Sequence, residues 1–458
     1  MNNQVRTRIA PSPTGYPHIG TVYQALFNYA YAKKHGGKFI VRIEDTDRNR
    51  FVEGSEEVIF SSMDWFGLAE DESSRKGGPF APYRQSERLE IYHKHAQELL
   101  EKDLAYFAYY PKKDAGVKKD YTQKEPKEHQ IIDVPEDPPK SVAEMLKRGD
   151  WILRMKVPKG GKIIVKDEIR GEIIFEPEQV TEQVLLKSDG YPTYHLAAIV
   201  DDHLMEISQI VRAEEWLSSL PKHVLLFKYF EWKMPPIFHT ATLRNPDKSK
   251  LSKRHGHTNV LWYKEEGYLP EAILNYLALL GWSHPEEKEI FSLQEFIDMF
   301  DLKDIRPIAP IFDLTKLTWM NQQYIQGKTG GELKKLIKGF FPKSKDLHDE
   351  TMDKLMPLVS SRMQTLKEFE QLTAIFFAQP EVVLNDKEKE IAKDLAVQFE
   401  KILDWEKEQI LDAMRPLLAK YTIRMSVFYK ILTGSERGLP LPDMLEILGK
   451  EKTLKRLT

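Results

Sequence analysis

A chain of 458 residues with 41% hydrophobic and 30% charged side chains can bury more than one core, because single cores stop growing at roughly 250 to 300 residues. The absence of cysteine excludes disulfides and any cysteine-ligated zinc or iron site, and it fits a reducing compartment. A net charge of -3 argues against an indiscriminate polyanion binder but leaves a nucleic-acid partner open, since binding depends on where basic residues cluster.

The first residues, MNNQVRTRIAPSP, hold no apolar core of signal-peptide length, and no run approaches the ~18 apolar residues of a membrane span. A cytoplasmic protein without a membrane partner is expected. VRTRIA reads as a strand and PSPTGYPHIG as the loop after it. TVYQALFNYAYAKKHGG carries Val22, Leu26, Tyr29 and Ala30 at helical spacing, with Gly36 as a stop. KFIVRIED is a second strand, and GSEEVIFSSMDWFGL a second helix with Ser55 as its expected cap and acids in its first turn. This βαβα start predicts a parallel sheet with crossover helices. After the helix RLEIYHKHAQELLEKDL, residues 106 to about 200 read as an insertion, polar and rich in lysine and proline to residue 150 and then a hairpin-like stretch, WILRMKVPKGGKIIVKDEIRGEIIF. Alternating α/β character returns with DHLMEISQIVRAEEW, PKHVLLFKYFEW and PPIFHTATL. From about 326 the segments EFEQLTAIFFAQP, KEKEIAKDLAVQFEKILDW and KEQILDAMRPLLAKY all show the helical period, which predicts a separate all-α region.

The loop from Arg8 to Gly20 occupies the place where doubly wound sheets hold nucleotides, at a helix N-terminus that offers N–H groups to phosphate. A merely rigid turn would have the same composition. GYPHIGT spaces two glycines like a Walker A loop, but Thr21 stands where that loop needs lysine. His18 can donate to a phosphate oxygen, and Gly20 lets a ligand approach the backbone closely. Far along the chain, Arg244 to Arg254 contains five basic residues and one acid, a local charge of +4. A charge run is usually a solvated loop, but the lysines of KLSKR, three apart, can embrace a triphosphate and neutralise a departing pyrophosphate.

With both words in view, the chain resembles the class I aminoacyl-tRNA synthetases. PHIGT matches their HIGH motif and KLSKR their KMSKS motif. The flanking words RIAPSPTG, ALFNYAYAKKHGGKFIVRIEDTDR, PYRQSERLEIY, LLKSDGYPTYHLA, VRAEEW, LPEAILNYLALLGWS, FDLTKLTWMN and LGKEKTLKRL resemble, in order, the glutamyl-tRNA synthetase family of bacterial type. The resemblance implies an α/β Rossmann-type catalytic domain with an inserted α+β domain, followed by an all-α anticodon-binding region. Residues 1–105 and 201–245 would be the two halves of the catalytic domain and 106–200 the inserted connective, acceptor-binding domain. Residues 246–325 would carry the KMSKS loop and a stem-contact domain, and 326–458 would bind the anticodon.

By the same resemblance, Arg8, Ala10, Ser12, Glu44, Tyr194 and Arg212 would bind glutamate, and His18, Gly20, Glu215, Trp216, Lys250, Ser252 and Lys253 would bind ATP. His18, Lys250 and Lys253 would be catalytic. An arginine fits a carboxylate through a bidentate fork, and Glu44 can receive an ammonium. Ala198 departs from relatives with asparagine there. The implied partners are L-glutamate, ATP with Mg2+ and tRNA(Glu), and a monomer is expected. No resident metal is expected at Glu44, Asp45 and Asp47 or at Asp201, Asp202 and His203. The inserted domain lacks the cysteines with which some relatives bind zinc, so no zinc is expected. Arg362 matches an arginine that tRNA-discriminating relatives set against the third anticodon base, which implies tRNA(Glu) rather than both tRNA(Glu) and tRNA(Gln). The rivals are a non-discriminating enzyme, glutaminyl-tRNA synthetase, whose C-terminal part is β-barrel, the short glutamyl-queuosine synthetase and a non-catalytic RNA-binding paralogue.

Overall fold

The computed structural model describes residues 4–110, 136–251, 258–379 and 381–457. The chain divides into two compact units, Met1–Trp262 with Leu274–Asp313, and Tyr263–Ile273 with Leu314–Thr458.

In the first unit, β1 (Arg6–Ile9), β2 (Lys38–Val41) and β3 (Glu72–Ser73) pair in parallel, with α1 (Ile19–Lys34) and α2 (Ser55–Phe66) as crossovers. This is the βαβα start that the sequence predicts. Next come α3 (Leu89–Glu101), β4 (Ala105–Tyr109), α4 (Val142–Arg148), β5 (Trp151–Met155), β6 (Ile163–Asp167), β7 (Gly171–Phe175) and β8 (Val184–Leu186). The chain returns through α5 (Tyr194–Leu204), β9 (Ile210–Ala213), α6 (Leu220–Tyr229) and β10 (Ile237–Thr240). β10 pairs in parallel with β9 and with the end of β6. The Ser208 N–H donates to the Arg6 carbonyl at 2.9 Å, which brings β9 beside β1. The strand order therefore reverses between β1 and β9, and at such a reversal a doubly wound sheet opens its crevice beyond the carboxyl ends of the strands.

Three local expectations change. The stretch from Trp151 to Phe175 is not one hairpin, because β5 joins β4 and β8 in a separate antiparallel sheet while β6 and β7 form the hairpin and attach to β10. The turn of that hairpin is closed by Asp167, whose Oδ1 accepts the N–H groups of Ile169 and Arg170, each at 2.9 Å. Pro158, which has no N–H for a ladder, separates β5 from β6. Ser55 is the first residue of α2 rather than its cap, for Gly54 holds that position and the Ser55 hydroxyl donates to the Val52 carbonyl at 2.6 Å. Helix α1 is buried nearly all round, Tyr23, Phe27 and Asn28 included, because it packs on the sheet and also on α9 (Leu293–Met299), with the Phe27 and Phe296 rings 6.2 Å apart. An all-round apolar helix carries no single-faced stripe for the sequence to reveal.

The core of this unit runs through Tyr92, Leu99, Trp151, Leu153, Leu186, Leu196 and Leu226, all fully or nearly fully buried. Each such leucine contributes roughly 1.5 to 3 kcal/mol relative to an exposed one. Helices α7 (Val260–Glu265) and α8 (Pro270–Gly281) each contribute residues to both units.

The second unit is helical, with no strand among its described residues. Its helices are α10 (Leu314–Gln326), α11 (Gly330–Phe340), α12 (Asp349–Ser360), α13 (Glu368–Leu372), α14 (Asp386–Glu400), α15 (Lys407–Tyr421), α16 (Met425–Thr433), α17 (Leu441–Leu448) and α18 (Lys450–Leu454). Capping boxes start α11, through Thr329 and Glu332, and α14, through Asn385 and Glu388, each satisfying two N–H groups that a helix end leaves unpaired. EFEQLTAIFFAQP is shorter in helix than its period suggests. The α-helix stops at Leu372, and Ala374–Phe376 is a single 3-10 turn. Among the described residues no helix is long and apolar enough to cross a membrane.

Candidate active site

At the carboxyl ends of β1, β9 and β10 lies a cavity of about 310 Å³. Arg8 and Ala10 line it from the end of β1, His18 and Gly20 from the start of α1, and Glu44 from beyond β2. Tyr194 opens α5, Arg212 stands on β9, Glu215 and Trp216 follow β9, and Lys250 completes the expected residues in the wall. Ser12 is exposed and is not part of that wall. Ser252 and Lys253 lie outside the described residues. Arg362 belongs to the second unit, exposed just after α12.

His18 caps α1. Its Nδ1 accepts the Gly20 N–H at 2.9 Å, so the neutral imidazole carries its proton on Nε2, where it is a donor. A Cβ on Gly20 would stand 2.9 Å from the same Nδ1, so glycine here is required by the cap as well as by any approaching ligand. The Ile19 N–H is held by the Thr258 carbonyl at 2.8 Å. Near the mouth, the Lys250 ammonium pairs with Glu215, and the Trp216 ring packs on Tyr194 with centroids 4.3 Å apart.

Beneath the cavity floor the charges are matched. Arg8 forks onto Asp202 through Nε at 2.9 Å and Nη2 at 3.0 Å, and Arg42 holds Asp202 at 2.7 Å and Glu44 at 3.0 Å. Arg88, Tyr92 and Gln85 donate to Asp201 at 2.8 to 2.9 Å. Burial alone would raise the Asp202 carboxyl, but Arg8 and Arg42 hold it below its usual value. Burial dominates at Glu44 and pushes that carboxyl up to about 7 against the pull of Arg42. The acids of the Asp201, Asp202 and His203 triplet are thus engaged by arginines, and His203 stacks on Trp232 at 3.8 Å. These contacts tie the triplet into the buried framework of the unit.

Arg212 is different. It is 7% exposed, and among the described residues no carboxylate lies within salt-bridge distance of it. Its guanidinium donates from Nε to His239 at 2.9 Å, from Nη1 to His223 at 2.9 Å and to the Tyr194 hydroxyl at 3.1 Å. Every one of these acceptors is neutral. A buried positive charge is costly unless paired, and among the described residues Arg212 is the buried arginine of this unit that no carboxylate directly neutralises.

Reading along the chain missed the two histidines that hold Arg212. His239 sits in PPIFHTATL, read only as an apolar run, and His223 in PKHVLLFKYFEW, read only as a helix. The available signal was one imidazole inside each otherwise apolar run. The linings by Tyr23, Gln24 and Thr242 were missed because each is unremarkable in its own segment.

Known proteins resemble this chain over its whole length. Residues 4–319 match the family described as tRNA synthetases class I (E and Q), catalytic domain, and residues 331–458 match an anticodon binding domain. The glutamate-tRNA ligase of Thermus thermophilus is 42% identical, with 99% of each chain covered. That of Fusobacterium nucleatum is 39% identical, covering 99% of this chain and 96% of the relative. Crystal structures of the glutamate-tRNA ligase of Elizabethkingia meningosepticum, in complex with its amino acid, and of the enzyme of Elizabethkingia anophelis superpose with TM-scores of 0.80 each. They are 33% and 34% identical and cover 99% of this chain, with 98% and 99% of their own. The helical second unit matches an anticodon binding domain rather than the β-barrels of the glutaminyl rival. With a class I catalytic domain over residues 4–319 and full-length relatives of one activity, this chain belongs to the glutamate-tRNA ligases of the class I tRNA synthetases.

Proposed function

We propose that the chain joins L-glutamate to tRNA(Glu) in two steps through glutamyl-adenylate, and that it discriminates against tRNA(Gln). The observation that carries the amino-acid reading is Arg212, buried among neutral acceptors in the same cavity wall as Glu44. Arg212 takes the side-chain carboxylate of the substrate and Glu44 its ammonium, and these two fixed charges orient the α-carboxylate.

In the first step an α-carboxylate oxygen forms a bond to the α-phosphorus of ATP, the bond to the bridging oxygen breaks, and pyrophosphate leaves. His18 Nε2–H and the N–H groups at the start of α1 meet the phosphates, and Lys250 exchanges Glu215 for them. Lys253, by its place in KLSKR, neutralises the charge growing on pyrophosphate. Magnesium enters with ATP, with no protein cage required. In the second step the terminal ribose hydroxyl of the tRNA attacks the activated carbonyl and AMP leaves. No covalent enzyme intermediate is needed, so positioning and charge stabilisation account for the catalysis.

The test is pyrophosphate exchange with glutamate and with glutamine in the presence of tRNA. Glutamate supports exchange, and Arg212→Ala lowers kcat/KM for glutamate by at least about 100-fold, because an unpaired carboxylate is left in a buried site. Equal exchange with glutamine would sink this reading in favour of the glutaminyl rival. The discrimination reading rests on Arg362, exposed in the second unit and near enough to Tyr429 to pull its phenol down against burial. An arginine beside a tyrosine suits a splayed loop base. The native enzyme is expected to charge tRNA(Glu) far better than tRNA(Gln), and Arg362→Gln to narrow that gap. Equal charging of both tRNAs by the native enzyme overturns it.

A further inference from the structure

We infer that Asp167, His239 and His223 form a relay behind Arg212 that fixes its guanidinium while leaving its charge uncompensated, and that this relay sets the preference for glutamate over glutamine. The inference rests on the reading of Arg212 as the receiver of the substrate's side-chain carboxylate.

The relay is continuous. Asp167 Oδ2 and His239 Nδ1 are 2.6 Å apart, and both side chains are fully buried. The same oxygen takes the His239 N–H at 3.2 Å, while Oδ1 holds the Ile169 and Arg170 N–H groups of the β6–β7 turn. An ionised carboxylate only accepts, so His239 must carry its proton on Nδ1. Its Nε2 is then a lone pair, and that lone pair accepts the Arg212 Nε–H at 2.9 Å. On the other edge His223 Nδ1 accepts from Arg212 Nη1 at 2.9 Å, and His223 Nε2 lies 3.2 Å from His195 Nδ1. Burial, with Arg212 adding to it, keeps His223 well below its ordinary value, burial likewise lowers His239, and burial with Lys222 and Arg212 lowers His195 to about 3. The imidazoles are therefore neutral where they face the guanidinium.

The other buried arginines of this unit are arranged in the opposite way. Arg6 faces Glu72, Arg8 and Arg42 face Asp202, and Arg88 faces Asp201, each directly. Those four are neutralised and cannot tell an acid from an amide. Arg212 has an acid too, but an imidazole stands between them, so Asp167 sets the imidazole's tautomer and orientation without cancelling the charge at the cavity. A glutamine amide then meets N–H donors with a positive charge and gains only one acceptor, whereas a carboxylate satisfies both charge and fork. Asp167, His239 and His223 are positioning residues, since they act through Arg212.

Asp167→Asn offers an amide to His239, frees the ring to turn its N–H toward Arg212, and is expected to raise the KM for glutamate about tenfold while the KM for ATP stays within about twofold. The kcat/KM preference for glutamate over glutamine falls with it. His239→Leu behaves alike, whereas His239→Gln, which keeps an acceptor near Nε2, recovers most of the preference. Where a variant does not fold, nitrogen NMR of histidines in the native enzyme decides, the relay requiring His239 protonated on Nδ1 and bare on Nε2 at neutral pH. If Arg212→Ala leaves glutamate kinetics intact, the underlying reading of Arg212 fails. If Arg212→Ala abolishes exchange but His239→Leu keeps the native preference, or His239 carries its proton on Nε2, the relay alone is overturned.

Discussion

If Glu44 receives the substrate ammonium as proposed, its carboxyl sets the pH dependence of glutamate binding. Its carboxyl is pushed up to about 7 by burial, so the folded protein binds this proton more tightly than the unfolded chain does. The folded state gains from the proton at low pH, and the gain is lost as pH rises from the ordinary carboxylate value through about 7. A glutamate ammonium must meet the ionised form, so its binding releases the proton. The kcat/KM for glutamate is expected to rise between about pH 6 and pH 8 with a limb near 7, and Glu44→Gln to flatten the limb while raising KM. A flat native profile would remove this role. At this scale Arg8, His18, Glu44 and Arg212, each named from its place in ordered words, all stand in the cavity wall. Ser12 was legible in the same way but lies outside the cavity wall, because the loop that carries it turns its exposed side outward.

Elements were legible where their periodicity was one-sided. α14 and α15 bury one face each, α15 with the predicted span and α14 stopping at Glu400, before the last five residues of its predicted span. α1 is enclosed on several sides, and it fits closely against a neighbour far along the chain: a Cβ on Gly281, the last residue of α8, would collide with the Tyr23 hydroxyl and reach 2.6 Å from the Phe27 ring. Gly281→Ala is expected to cost about 1 to 3 kcal/mol of stability by overpacking, read as a lower denaturant midpoint with an unchanged slope. An unchanged midpoint would mean that α1 can move aside. The β6–β7 hairpin shows why element contents are easier to read than element partners. Its strands alternate in burial, Ile163 and Val165 inward and Ile164 and Lys166 outward, which the sequence displays. Its attachment to β10 pairs the backbone at Asp167 with Ile237 and brings Asp167 to His239, 72 positions away.

At the scale of the whole molecule, a chain of net charge -3 has to bind a polyanion through local basic surface. Raising salt from about 50 to 200 mM is expected to raise the KM for tRNA at least about tenfold while the KM for glutamate, measured at saturating tRNA, changes little, since counterion release governs phosphate contacts but not a buried ion pair. A tRNA KM indifferent to salt would contradict phosphate-driven binding. The sequence by itself determined the family, through words whose order is a property of the chain, and it determined the all-helical character beyond residue 326, because a helical period is written within a few turns. Only the tertiary structure decided which arginines are neutralised. Arg8 meets Asp202 across 194 positions and Arg212 meets His239 across 27. Whether a buried charge is cancelled or kept open for a substrate depends on which distant side chain folding brings to it. No local pattern encodes that, because the cost of an unpaired charge arises only once water has been removed.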